Sequence, residues 1–312
     1  MIVTDTSLAA LLLTNRIVDV SVKPLSAGEF WSLCRAVEDP SVLVGLTAVG
    51  IAESSGVSVD EAGRIAALLA AGTAFSFERE RLAEEGVVLV SALDDAFPSR
   101  LRERLGDSCP AFLLIAGPVE FLDVPAVGVV GSRDASEEAL AVAVSAAKVA
   151  ASSGRAVVSG LARGIDQAAM ASALGAGTQV VGFPAEGLRV VARDAEVRSR
   201  VHAGELCMAS PYGPATRFSA GNAMGRNKLI YGHADVTLVV CSALGSGGTW
   251  GGAREAIRGD FGRVAVWMGE GAGPGNSKLV DEGGAAATDL HDLFAVEPVA
   301  PPPKQPSLFD SL

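Results

Sequence analysis

The octapeptide Ser159-Gly160-Leu161-Ala162-Arg163-Gly164-Ile165-Asp166 follows directly on the apolar run Ala156-Val157-Val158. A buried strand that ends in Ser-Gly and turns at once into a helix can present a phosphate site. Glycine admits a ligand close to the backbone, the helix start offers free N–H groups, and arginine adds a bidentate positive fork. The expected contributions are the Ser159 hydroxyl, close approach at Gly160, the Arg163 charge and a helix opening near Gly164. Many α/β proteins use such turns only to pack strand against helix, so the pattern alone leaves both readings open.

A second turn repeats the theme. Gly131-Ser132-Arg133 follows the apolar Val127–Val130 and precedes an alanine-rich helix. Two neighbouring strand ends that each carry a hydroxyl and an arginine favour a phosphate-lined groove over two ordinary turns. Asp166 falls in a helix first turn, where it favours the helix dipole and is expected to pair with Arg163. No partner acid or metal-ligand cluster lies near it in the sequence, so its expected role is structural.

Two more stretches carry charge or glycine. In Gly225-Arg226-Asn227-Lys228-Leu229-Ile230 the cations precede apolar residues, which places charged heads at a helix mouth and stems in the core. Gly245-Ser246-Gly247-Gly248-Thr249-Trp250-Gly251-Gly252 follows the apolar Leu238–Cys241 and opens a helix. Ser246, Gly247, Gly248 and Thr249 are expected to cradle a phosphate. Trp250 is read either as a surface on which a base stacks or as a core side chain.

These residues need a sheet to hold them. Apolar runs at 127–130, 156–159, 179–183, 206–209, 237–241 and 264–267 alternate with helical patterns at 137–152, 164–174, 194–202, 220–231 and 251–258. Fully apolar strands alternating with helices predict a mostly parallel, extended Rossmann-like α/β sheet with helices on both faces. Ligands of such sheets bind beyond the C-terminal strand ends, where each motif falls. Earlier in the chain, Val87–Val90 and Phe112–Ala116 predict two further strands. Residues 1–84 read as a small helical domain with capping boxes at Ser26-x-x-Glu29 and Ser58-x-x-Glu61 and a helix end at Gly72. The Rossmann-like domain is placed at 85–295, and a proline-rich tail at 296–312.

Composition narrows the class. The chain has 312 residues, 49% of them hydrophobic and 5% aromatic, as expected for a folded α/β protein. Four scattered cysteines and three unclustered histidines predict neither disulfides nor a metal site, and no cofactor. The N-terminal apolar stretch follows Asp5 and has no basic leader, and no run approaches the ~20 residues of a membrane span, so a soluble cytoplasmic protein is expected. The net charge of −11 is unevenly spread: residues 126–230 hold 11 Lys+Arg against 8 Asp+Glu, leaving the acidic excess elsewhere. An acidic body with one basic groove remains compatible with nucleic acid.

In their order, these motifs resemble the DprA/Smf family of DNA-processing proteins. The matching stretches are the octapeptide, Gly131-Ser132-Arg133, Arg226-Asn227-Lys228-Leu229-Ile230 with Phe218 upstream, the glycine loop, and Asn276-x-x-Leu279-Val280 before Gly283-Gly284-Ala285. The likeness covers residues 85–293. It implies single-stranded DNA binding without catalysis, loading of the RecA recombinase, and a homodimer. Arg133, Arg163, Arg226 and Lys228 would hold phosphates, with Ser132, Ser159 and Asn227 beside them. The short helices of the first 84 residues resemble the sterile-alpha-motif or helix-hairpin-helix-like domain of some members.

Departures mark a divergent branch: Ala169-Met170 replaces Ala-His, Arg189-Val190-Val191 replaces a Tyr-Pro segment, Ala209-Ser210-Pro211 lacks a glutamate, and no winged helix follows. The alternatives are a nucleotide-handling enzyme such as a nucleoside-monophosphate phosphoribohydrolase, with Asp166 and Glu255 as its candidate acids, or a defence-associated ligand sensor. The terminal Gln305-Pro306-Ser307-Leu308-Phe309 resembles the peptide by which bacterial replication proteins dock on the sliding clamp. Gln305, Leu308 and Phe309 would make that contact.

Overall fold

The structure is a computed structural model that describes residues 4–14 and 16–291. The tail with Gln305, Leu308 and Phe309 lies outside the described residues. Among the described residues nine strands form: β1 (Val87–Ser91), β2 (Phe112–Ala116), β3 (Ala126–Val130), β4 (Ala156–Ser159), β5 (Val180–Gly182), β6 (Leu206–Ser210), β7 (Val236–Val239), β8 (Arg263–Trp267) and β9 (Ala285–Ala287). They make one sheet in the order β1-β2-β6-β5-β4-β3-β7-β8-β9. β2 runs antiparallel to both neighbours, and every other pair is parallel.

The strands are apolar throughout because both faces are covered. Val127 and Val129 of β3 face one core, and Ala126 and Val130 face the other. β4 divides in the same way, with Val157 on the first side and Ala156 and Val158 on the second. The first face is covered by α7 (Glu137–Ser152) and α8 (Ile165–Gly175), which bury alanines at 139, 143, 146, 147, 150, 169 and 173. The second face is covered by α6 (Ser99–Leu105), α11 (Ala220–His233), α12 (Gly247–Gly259) and α13 (Asn276–Asp281). Two short helices, α9 (Leu188–Val191) and α10 (Ala195–His202), join β5 to β6.

Ahead of the sheet lie α1 (Asp5–Leu13), α2 (Ala27–Val37), α3 (Ala48–Ser55), α4 (Val59–Leu69) and α5 (Gly72–Glu84). Ser26 and Glu29 form the expected capping box of α2. Ser58 caps α4 through the Glu61 N–H, but the Glu61 carboxylate turns to Arg64 at 2.8 Å and leaves the box half-made. Gly72 does not end α4; it opens α5, because the chain turns one residue after the Ala70 C-cap. The helical region is fastened to the sheet by Trp31 Nε1, which donates to the Cys109 carbonyl at 2.8 Å, and by a bidentate Arg35–Asp107 pair. Among the described residues no helix is long and apolar enough to cross a membrane.

The chain winds outward from β3 through β4 and β5 to β6, then returns to add β7, β8 and β9 on the far side of β3. That reversal separates the loops after β3 and β7 and opens a crevice at their C-terminal ends.

Candidate functional site

Three loops meet at this switch point and are bonded to one another. Ser132 donates its N–H to the Cys241 carbonyl at 3.0 Å, and Ile165 donates to the Ser132 carbonyl at 3.3 Å. Thr249 Oγ1 donates to the Gly131 carbonyl at 2.9 Å. Gly164, at φ +77, lies against the Ser132 and Arg133 carbonyls in space that a Cβ would need. These ties hold open a cleft of about 690 Å3.

On one wall stands Arg133, its guanidinium 5.0 Å from the centre of the Phe218 ring. Phe218 is 47% exposed and lines the cleft. Ser132 accepts the Asp134 N–H on its Oγ at 3.1 Å, which leaves its hydroxyl proton available. Ser246, Gly247, Gly248 and Thr249 line the same cleft at the start of α12, where no side chain caps the first turn among the described residues. The helix therefore begins four residues before the expected Gly251: the glycine loop is its first turn. Asn227 of α11 steadies this turn by donating Nδ2 to the Gly248 carbonyl at 3.0 Å.

Arg226 rises from α11 into the floor, only 4% exposed, and its Nη1 lies 3.9 Å from Asp166 Oδ2. Asp166 also accepts the Gly160 N–H at 3.1 Å. Burial pushes the Asp166 carboxyl above the usual carboxylate range, against the pull of Arg226 and the backbone donors. Tyr231, five residues beyond Arg226 on α11, also lines the cleft, with its hydroxyl buried and without a hydrogen-bond partner among the described residues.

Several expected contributions are placed differently. The Ser159 side chain is fully buried and donates to the Val129 carbonyl at 2.6 Å, so it ties β4 to β3 and faces no groove. Gly160 makes room for the Arg226 guanidinium, not for a ligand, and its N–H is already taken by Asp166. Asp166 pairs with Arg226 and not with Arg163. Arg163 stands outside the cleft, exposed, 3.6 Å from Asp134. The Thr249 hydroxyl is used to hold Gly131. Of the two readings of Trp250 the core one fits better: it is 7% exposed with Arg254 over its ring at 5.4 Å, although it also lines the cleft. Lys228 faces away, into a smaller pocket behind α11.

Sequence reasoning missed the Asp166–Arg226 pair, whose members are separated by 60 positions and carry no local signal of each other. It also missed Tyr231, which stands five positions after Arg226 and so shares no i,i+3 or i,i+4 spacing with it that would mark it.

A family model for DNA recombination-mediator protein A matches residues 88–296. DNA processing protein DprA of Streptococcus pneumoniae is 31% identical over 210 residues, covering 66% of this chain and 72% of that protein. The X-ray structure of that organism's DprA superposes with a TM-score of 0.70 at 25% identity, over 95% of this chain and 99% of the other. Helicobacter pylori DprA shares the fold at a TM-score of 0.56 and 21% identity, over 67% of this chain and 94% of that one. With the matched segment spanning β1 to β9 and every loop of the cleft, the chain belongs to the DNA recombination-mediator protein A family of DNA-processing proteins.

Proposed function

We propose that the cleft binds the sugar–phosphate backbone of single-stranded DNA and that the protein acts by binding, not turnover. The observation that carries this reading is the distribution of charge. Asp166 is matched by Arg226 and Asp134 by Arg163, so Arg133 is a cleft cation with no ion pair among the described residues. It lines the same cleft as the uncapped start of α12, and a phosphate bound there would draw on a guanidinium and on helix N–H groups together. Phe218 beside Arg133 offers an exposed ring for a base, and stacking of this kind is indifferent to sequence. A unique single-stranded DNA binding mode is described for the H. pylori protein, which supports the same ligand class here.

The phosphoribohydrolase reading is less well supported. Asp166 is committed to Arg226 and Gly160, and Glu255 does not line the cleft, so the two candidate acids do not meet there. In the binding reading, the coated strand passes to the RecA recombinase, the working assembly is a homodimer, and Gln305, Leu308 and Phe309 dock on the sliding clamp. A peptide of residues 303–312 that binds the clamp no better than its Leu308→Ala, Phe309→Ala form removes that last element.

The deciding experiment is a salt-titrated comparison of single strand, duplex and mononucleotide. Single strand should bind most tightly, and Arg133→Ala should weaken it and reduce the salt slope by roughly 0.7. Preference for the mononucleotide, with product release, would overturn the reading.

A further inference from the structure

We propose that the pocket behind α11 binds a second phosphate group, which a DNA strand carries there after leaving the cleft. The source of the phosphate rests on the reading above; the pocket's anion chemistry does not.

The pocket has a volume of about 210 Å3 and lies between the helical region and the sheet. Each side supplies one cation. Lys228 comes from α11, and Arg16 from the connection between α1 and α2. Gly213 makes the second delivery feasible, because a Cβ there would overlap the Arg16 carbonyl. Among the described residues no carboxylate lines the pocket. Neither Arg16 nor Lys228 makes an ion pair among the described residues, and Glu255 acts on Lys228 only from beyond ion-pair distance. Ser108 adds a hydroxyl to the same lining.

A half-buried ammonium with no counter-charge at ion-pair distance is costly, and burial here pushes the Lys228 pKa down. A bound anion would repair this directly. An apolar occupant would bury both cations further without compensation, so the chemistry selects an anion.

The position ties the pocket to the cleft. Gly225 and Lys228 line the pocket, whereas Met224, Arg226 and Asn227 line the cleft, so the middle of α11 is the partition between them. Tyr212 in the pocket wall donates its hydroxyl to the Asn222 carbonyl at 2.6 Å and anchors the same helix turn. A helix with its side chains is about 10–12 Å across. A strand crossing it at the exposed Met224 therefore reaches Lys228 within a few nucleotides.

The test uses the full chain and acylation of lysine amines, read by peptide mass spectrometry with the exposed Lys148 as reference. Inorganic phosphate should slow labelling of Lys228 but not of Lys148. An oligothymidylate of about 16 nucleotides should protect Lys228, and one of about 4 nucleotides should not. Arg16→Ala and Lys228→Ala should each weaken the long oligomer several-fold, lower its salt slope by roughly 0.7, and leave the short one unchanged. Protection by phosphate without binding of either oligomer would keep the pocket as a free-phosphate site while the DNA reading falls. Equal labelling of Lys228 with and without phosphate and long oligomer, or unchanged binding in both variants, would overturn the inference.

Discussion

The guanidinium of Arg226 occupies the space in which residue 160 would carry its Cβ, and Gly160 in turn donates its N–H to Asp166, the partner of that guanidinium. Glycine at 160 is therefore a condition of the buried ion pair. Gly160→Ala should drive Arg226 off Asp166 and cost about 3–5 kcal/mol, the usual price of breaking a buried pair. Urea unfolding measures this, and a loss under about 1 kcal/mol would show that the guanidinium swings clear at no cost.

The pair should also be replaceable as a unit. Asp166→Asn leaves a buried arginine uncompensated and is expected to cost about 3–5 kcal/mol. The double replacement Asp166→Asn, Arg226→Met removes both charges and should recover most of that loss. A double-mutant cycle in urea decides it: additive losses would mean that the two residues act independently across their 3.9 Å.

Charge and stacking at the cleft wall should separate experimentally. Phe218→Ala is expected to lower single-strand affinity by about 1–3 kcal/mol with an unchanged salt slope, because stacking releases no counterion. The stacking role falls if the Phe218→Ala salt slope drops as it does for Arg133→Ala. In that case the ring would act only by holding the guanidinium in place.

His233 gives the fold an acid-sensitive point. It is fully buried against Phe183, with neither ring nitrogen hydrogen-bonded among the described residues. Burial, with Arg100 and Arg104 nearby, lowers its pKa from 6.5 to about 3. The unfolded chain therefore takes up this proton at a pH where the folded chain does not. Stability should be full above pH 6.5 and fall as pH drops toward about 3, with a slope approaching about 1.4 kcal/mol per unit from this group. His233→Leu should flatten that part of the profile, and an unchanged slope would assign the acid loss to other groups.

Much of this architecture was legible in the sequence because it follows from local pattern. Runs such as Val127–Val130 and Ala156–Ser159 are apolar at every position, which requires burial on both faces and hence a parallel sheet between helices. Ser-Gly and Gly-Ser-Arg at the ends of such runs mark two of the loops that meet at the cleft. Three short elements, α9, α13 and β9, escaped because stretches of four, six and three residues carry little periodicity.

Partnership was not legible, because a residue's partner depends on which segments the fold brings together. Arg163 and Arg226 are equivalent as sequence, yet the sheet carries Arg226 beneath Gly160 to Asp166 and leaves Arg163 outside beside Asp134. Asn227 and Lys228 are adjacent in sequence, but successive positions of a helix do not share a face. One therefore lines the cleft and the other the pocket behind it. The sequence by itself determined the strands, the loops at their ends and the supply of cations. Only the tertiary structure decided which cations are neutralised and which are left facing open space, because burial and pairing are properties of three-dimensional neighbours.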